Sequence, residues 1–208
     1  NYLDFRDESS CFDAFGVISP RSYNIGDGEP VRVEGFMATA GVLHTYGVEP
    51  SLGRFFTRAE VDDGSRVVIL SDQLWRERYN ADPDIIGTTA TISGEAHVVV
   101  GVRPAGAEFL SPWTRAGDVK LWTPLEVPAF FAGEEGRGRN WLLAIGRLKA
   151  GVEWNSAESE LNSIAADLQQ QHPESNARSK IWLNPFLRHI IGGMSWQLAV
   201  LLGALGHE

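Results

Sequence analysis

Residues 46–109 read YGVEPSLGRFFTRAEVDDGSRVVILSDQLWRERYNADPDIIGTTATISGEAHVVVGVRPAGAEF, and this stretch decides the fold. Val67-Val68-Ile69-Leu70 is a continuous β-branched run, the signature of a strand buried on both faces. Ser71 or Asp72 offers a side-chain oxygen to the free amides of a helix over 73–79. On that helix Trp75 and Tyr79, four residues apart, face the same sheet. Beyond the punctuation of Pro83 and Gly87, residues 88–93 and 96–102 flank Gly94-Glu95, a Gly-first pair suited to a type II′ hairpin. On the second of these strands His97 alternates with Val98 and Val100, which predicts His97 on the more exposed face. Residues 57–66, with Glu60, Asp62 and Asp63 close together, read as an acidic loop.

Upstream, residues 1–16 suggest a helical entry into a strand near 15–19. Residues 22–29 read as hairpin punctuation, and 31–37 alternate as a strand. A short helix over 41–46 closes at Gly47. Downstream, Trp141–Leu148 reads as a strand and Lys149-Ala150-Gly151 as a turn. A helix follows, capped by Asn155 with Glu158 three residues on. Ala157, Leu161, Ile164, Ala165 and Leu168 form one apolar stripe on it, and Pro173 stops it after His172. A strand at 180–183 completes a right-handed βαβ unit. The fold class is α+β, with two lobes. The region between the acidic loop and the Gly/Arg-rich segment 133–140 is strand-rich, which suggests an inserted subdomain with the outer domain made from both chain ends.

Composition narrows the function. With 208 residues, 43% of them hydrophobic, the chain buries a real core. A net charge of −9 argues against nucleic acid as a partner, because phosphate binding needs a concentrated basic surface. One cysteine, Cys11, excludes an intrachain disulfide and reads as a small buried hydrophobe. The N-terminus has no signal-peptide pattern, which suits an internal piece of a longer chain. At the other end, residues 198–205 are apolar on every helical face and follow Trp196. Residues 194–205, with Met194, Trp196, Leu198 and Leu201 at the junction, are expected to begin a transmembrane helix, in preference to the alternative of an ordinary buried terminal helix.

No catalytic or cofactor pattern emerges. None of the five histidines has zinc spacing, Glu60–Gly64 lacks the distal glutamate of a calcium loop, and Ser71 lacks the flanking glycines of a nucleophile elbow. The glycine-rich stretches 26–28 and 133–138 lack a P-loop lysine. Trp113 and Trp154, in turn-like contexts, are candidates for a recognition surface. Arg137 and Arg139 could contact an anion, but a mobile solvated loop is the simpler reading.

Four landmarks, GVEPSLGRFF at 47–56, VVILSDQLWRERY at 67–79, DPDIIGTTATISGEAHVVVGVRP at 82–104 and LWTPL at 121–125, resemble in order and spacing the periplasmic core domain of MacB-like ABC transporter permeases. Within that family the large, duplicated permeases of acidobacterial type are most alike. The resemblance implies a non-catalytic domain on the periplasmic side of the bacterial inner membrane, set between two membrane spans, with residues 1–65 and 140–193 as a βαβ-containing lobe and 66–139 as an inserted, mostly-β lobe. It also implies mechanotransmission, with ATP bound by a separate nucleotide-binding domain or subunit and no cofactor held here. The implied partners are an ABC ATPase subunit, a second permease copy and a periplasmic adaptor protein. The competing expectation is an independent extracytoplasmic ligand-binding or protein-interaction domain.

Overall fold

Helix α1 (Tyr2–Glu8) leads into β1 (Phe12–Ile25), a 14-residue strand around which the other elements assemble. The computed structural model describes residues 1–26, 28–106, 119–126, 142–176, 181, 183 and 184. Sequence reading gave 22–25 to a turn, but Ser22, Tyr23, Asn24 and Ile25 pair with Glu34, Val33, Arg32 and Val31. Tyr23 and Ile25 are buried there, and that burial outweighs the turn preference of Ser22 and Asn24.

The remaining elements are β2 (Val31–Ala38), α2 (Ala40–Thr45), β3 (Leu52–Gly53), α3 (Arg58–Asp62), β4 (Val67–Leu70), α4 (Asp72–Tyr79), a 3-10 turn (Pro83–Ile85), β5 (Thr89–Ile92), β6 (Glu95–Val102), β7 (Val119–Pro124), β8 (Leu143–Leu148), α5 (Trp154–Gln171) and α6 (Pro173–Asn176). All eight strands belong to one mixed sheet in the order β2-β7-β4-β6-β5-β1-β8, with β3 paired to β6. Because β1 also pairs with β2, and touches β5 through Ile25 and Ile92, the sheet curls into a ring. The pairings β2–β7 and β4–β6 are parallel. Helix α4 lies in the crossover between β4 and β6.

Strand β4 is buried on both faces, as its composition predicts. Val67 and Ile69 join a cluster with Phe36, Phe56 and Trp122, while Val68 and Leu70 join another with Leu74, Ile92 and Val99. Trp75 and Tyr79 pack on the second cluster together. A third cluster holds the chain ends, where the predicted α5 stripe buries against Cys11, Phe5, Phe12 and Leu148.

Five local expectations are corrected. Residues 57–66 are not simply a loop: Thr57 and Glu60 exchange hydrogen bonds as a capping box and start α3. The β5–β6 turn is Ser93-Gly94, with φ of 51° and 83°, so it is a type I′ turn rather than II′. Helix α5 starts at Trp154 with Glu153 as N-cap, and Asn155 does not cap it. Its start is set by Val152, which docks in the third cluster directly before it. Ile181 and Leu183 form no strand, and Lys180 and Trp182 lie outside the described residues. Asn162 holds that segment instead, donating to the Ile181 carbonyl (3.1 Å) and accepting from its amide (3.2 Å).

His97 is the fifth. It is buried and Val98 is 41% exposed, the reverse of the polarity argument. His97 sits opposite Ala90 on the covered face, and its Nδ1 lies 3.1 Å from the Glu95 carbonyl. The opposite face of β6 is open at this end of the sheet.

Candidate functional site

The segment 47–56 forms one wall of an open cleft of about 580 Å³. The wall starts where α2 ends: Tyr46 is its C-cap and Gly47, at φ +64°, turns the chain in a conformation that disfavours side chains. From there the segment adds to the edge of β6. The Ser51 amide donates to Val102 O and the Arg54 amide to Val100 O, both at 2.8 Å. Gly53 and Gly101 face one another in this pairing. A Cβ on Gly53 would strike the Val100 carbonyl, and one on Gly101 would strike the Arg54 carbonyl. An extra residue at Val100 shifts the register of β6 against β4, so Val99 and Val102 share one cluster while Val100 faces the other.

Phe55 and Phe56 then insert into the first core cluster and fix the base of the wall. Arg54 is held outside by two hydrogen bonds to Glu60, at 2.8 and 2.7 Å. Glu60 also accepts from the Thr57 amide at 2.7 Å. The Arg54 guanidinium, followed by these Thr57 bonds, holds the Glu60 carboxyl at about 2. On the facing wall His44 meets Phe55 edge-on, with ring centroids 5.5 Å apart.

The cleft therefore has an aromatic floor and a rim whose main charges are already committed. Arg54 serves Glu60, and Arg58 pairs with Asp62 at 3.4 Å. Nothing in it activates a nucleophile. Elsewhere, burial pushes the Cys11 thiol up, with Glu160 adding to the effect. Burial also pushes the Tyr23 phenol up to about 12, against the opposing hydrogen bond with Thr123. The Tyr46 phenol is raised by burial as well. These shifts run opposite to those that make a side chain reactive at neutral pH. Among the described residues, no three His, Cys, Asp or Glu side chains gather as metal ligands.

Of the recognition residues expected from sequence, Trp154 is the first residue of α5 and is 36% exposed, away from the cleft lining. Trp113, Arg137 and Arg139 lie outside the described residues, as do Met194, Trp196, Leu198 and Leu201. No helix among the described residues is long and apolar enough to cross a membrane.

Two arginines escaped sequence reading. Arg103 is buried with its guanidinium 4.5 Å above the Trp122 ring. Arg147 reaches from β8 to the end of α2, donating from Nε (3.1 Å) and Nη2 (2.7 Å) to the Thr45 carbonyl. Neither has a local sequence signal, because each partner lies far away along the chain. Only Gly47, a predicted helix terminator, marked one end of the Arg147 contact.

A family model described as the MacB-like periplasmic core domain matches residues 6–164. In fold the chain is similar to the periplasmic region of MacB from Actinobacillus actinomycetemcomitans, at 14% identity and a TM-score of 0.55, over 84% of this chain and 75% of that one. It is also similar to the extracellular domain of the noncanonic ABC-type transporter YknZ from Gram-positive bacteria, at 15% identity and 0.56, over 84% and 85%. A domain of a protein described as a permease, from Porphyromonas gingivalis, matches at 17% identity and 0.56, over 91% and 87%. At these identities the likeness is one of fold. No curated protein sequence matches the chain.

Proposed function

The chain belongs to the MacB-like periplasmic core domain family of ABC transporter permeases, and on that premise we propose that it is the extracytoplasmic mechanical module of such a permease. In this reading the domain is non-catalytic and moves when a separate subunit hydrolyses ATP on the other side of the membrane. It works beside a second permease copy and hands substrate to a periplasmic adaptor.

The carrying observation is the family match over 6–164, joined to a fold shared with domains that lie outside the cytoplasmic membrane in their own proteins. The geometry suits such a role. Asn1 Nδ2 donates to Asn176 Oδ1 at 2.6 Å, and α1 packs with α5, so the two ends of the described domain stand side by side. From that base β1 runs for 14 residues, roughly 45 Å at the usual strand rise, with one register shift against β8 between Phe12 and Ala14, to the β5 contact at Ile25. A push at the base would be carried along one strand that pairs in turn with β8, β2 and β5.

The test places a cysteine at exposed Glu77 in the full-length permease. A membrane-impermeant maleimide should label it from outside intact cytoplasmic membranes. Spin labels at the same position in two copies, with the ATPase present, should change their distance on trapping the ATP state. Labelling only after membrane rupture, or an unchanged distance, would overturn the proposal.

A second reading, as an independent ligand-binding domain, has only the volume of the cleft, about 580 Å³, behind it, because the cleft is open where ligand sites are enclosed. That reading expects a thermal shift with some small molecule, reduced by Phe55→Leu. A broad screen giving no shift would sink it.

A further inference from the structure

We propose that Arg147 is a latch through which the β8–α5 unit sets the geometry of the cleft wall. Helix α2 is only six residues long; of the carbonyls of its last turn, Val42 O accepts from Thr45 Oγ1 (2.6 Å) and His44 O from the Gly47 amide (3.1 Å), while Thr45 O has no partner inside the helix. These carbonyls carry the negative end of its dipole, where a cation is favourable. The Arg147 guanidinium takes one of them, Thr45 O, in a two-pronged contact. Gly47 makes the approach possible, since a Cβ there would strike Arg147 Nη2. The latched carbonyl lies between His44 and Glu49, two rim residues of the cleft.

The other end of the latch is anchored in the chain-end layer. Strand β8 pairs with β1 from Leu143 to Leu148, and the Lys149 amide then bonds Cys11 O at 2.9 Å. Val152 and the α5 stripe bury against that same Cys11. Among the described residues Arg147 makes no ion pair, so its charge is committed to a helix end rather than to a carboxylate. Hydrogen bonds weaken steeply once stretched or bent, so a shift of β8 by one or two ångströms would free the end of α2. The wall from 47 to 50 has no other described tie to β8 and would loosen with it, whereas Ser51 is held independently by Val102 O. This device goes beyond the transport reading, since it operates in the 208-residue chain whatever is carried.

Backbone amide exchange tests it. In the 208-residue chain, Arg147→Gln should raise exchange over 44–49 about tenfold, while β4, β6 and the Ser51 amide keep wild-type protection. Arg147→Met, which keeps the apolar stem without donors, should do the same. Ile164→Val, a mild loosening of α5, should raise exchange over 44–49 about threefold in the wild-type background and not in the Arg147→Gln background. Equal effects of Ile164→Val in both backgrounds, no effect in either, a wild-type pattern for Arg147→Met, or a uniform rise through β4 and β6 would each overturn the latch.

Discussion

Glu60→Gln separates the charge of the cleft rim from its hydrogen bonding. Glutamine keeps an acceptor for the Thr57 amide, because capping boxes use Glu or Gln at that position. It loses the ion pair with Arg54. The carboxyl is held at about 2 instead of its ordinary 4.5, first by Arg54 and then by Thr57. Unscreened, that difference is worth about 3 kcal/mol at neutral pH. The Arg54 side chain is 53% exposed, so solvent and salt reduce the effect to about 1 kcal/mol. Because the folded value lies below the unfolded one, this stability is present in full above pH 4.5 and is lost as pH falls towards 2. Urea unfolding of wild type and Glu60→Gln at pH 7, 4.5, 3.5 and 2.5 measures it. The variant should be weaker by about 1 kcal/mol at pH 7, about 3 °C in melting temperature for a chain of this size. The gap should shrink steadily below pH 4.5. A gap that stays constant with pH, or none at pH 7, would refute the assignment of the shift to this ion pair.

Gly101→Ala should cost about 1–3 kcal/mol, since its Cβ meets the Arg54 backbone carbonyl and neither strand can yield; denaturant unfolding within 0.5 kcal/mol of wild type would contradict that close approach. Leu161→Ala should cost about 2–4 kcal/mol by opening a cavity in the layer that joins α5 to Cys11 and Phe5. Its readout is the calorimetric midpoint, with a near-neutral result counting against a packed chain-end layer.

Much of the fold was legible wherever a segment carries its own reason. Val67–Leu70 announced burial on both faces, Ser71 announced the α4 cap, which its hydroxyl makes to the Leu74 amide, and the α5 stripe named its five buried residues. Thr57-x-x-Glu60 was legible too, but the neighbouring acids drew the reading to a loop. The strength of β1 was not legible, because Ser22 and Asn24 are turn formers until β2 lies beside them. His97 was misplaced because period-two alternation gives two faces without saying which one is covered.

The sequence by itself determined the family, the class of most elements and the absence of a familiar catalytic or metal motif. The elements and motifs rest on residues close together in the chain, where spacing and backbone preference act directly, and the family on the order and spacing of four such segments over 47–125. Only the tertiary structure decided the ring closure at Ile25 and Ile92, the facing glycines 53 and 101, and the reach of Arg147 to Thr45. Those contacts join residues 48 to 102 positions apart. No local preference encodes such a pairing; it is selected by the burial and hydrogen bonding of the whole assembled sheet.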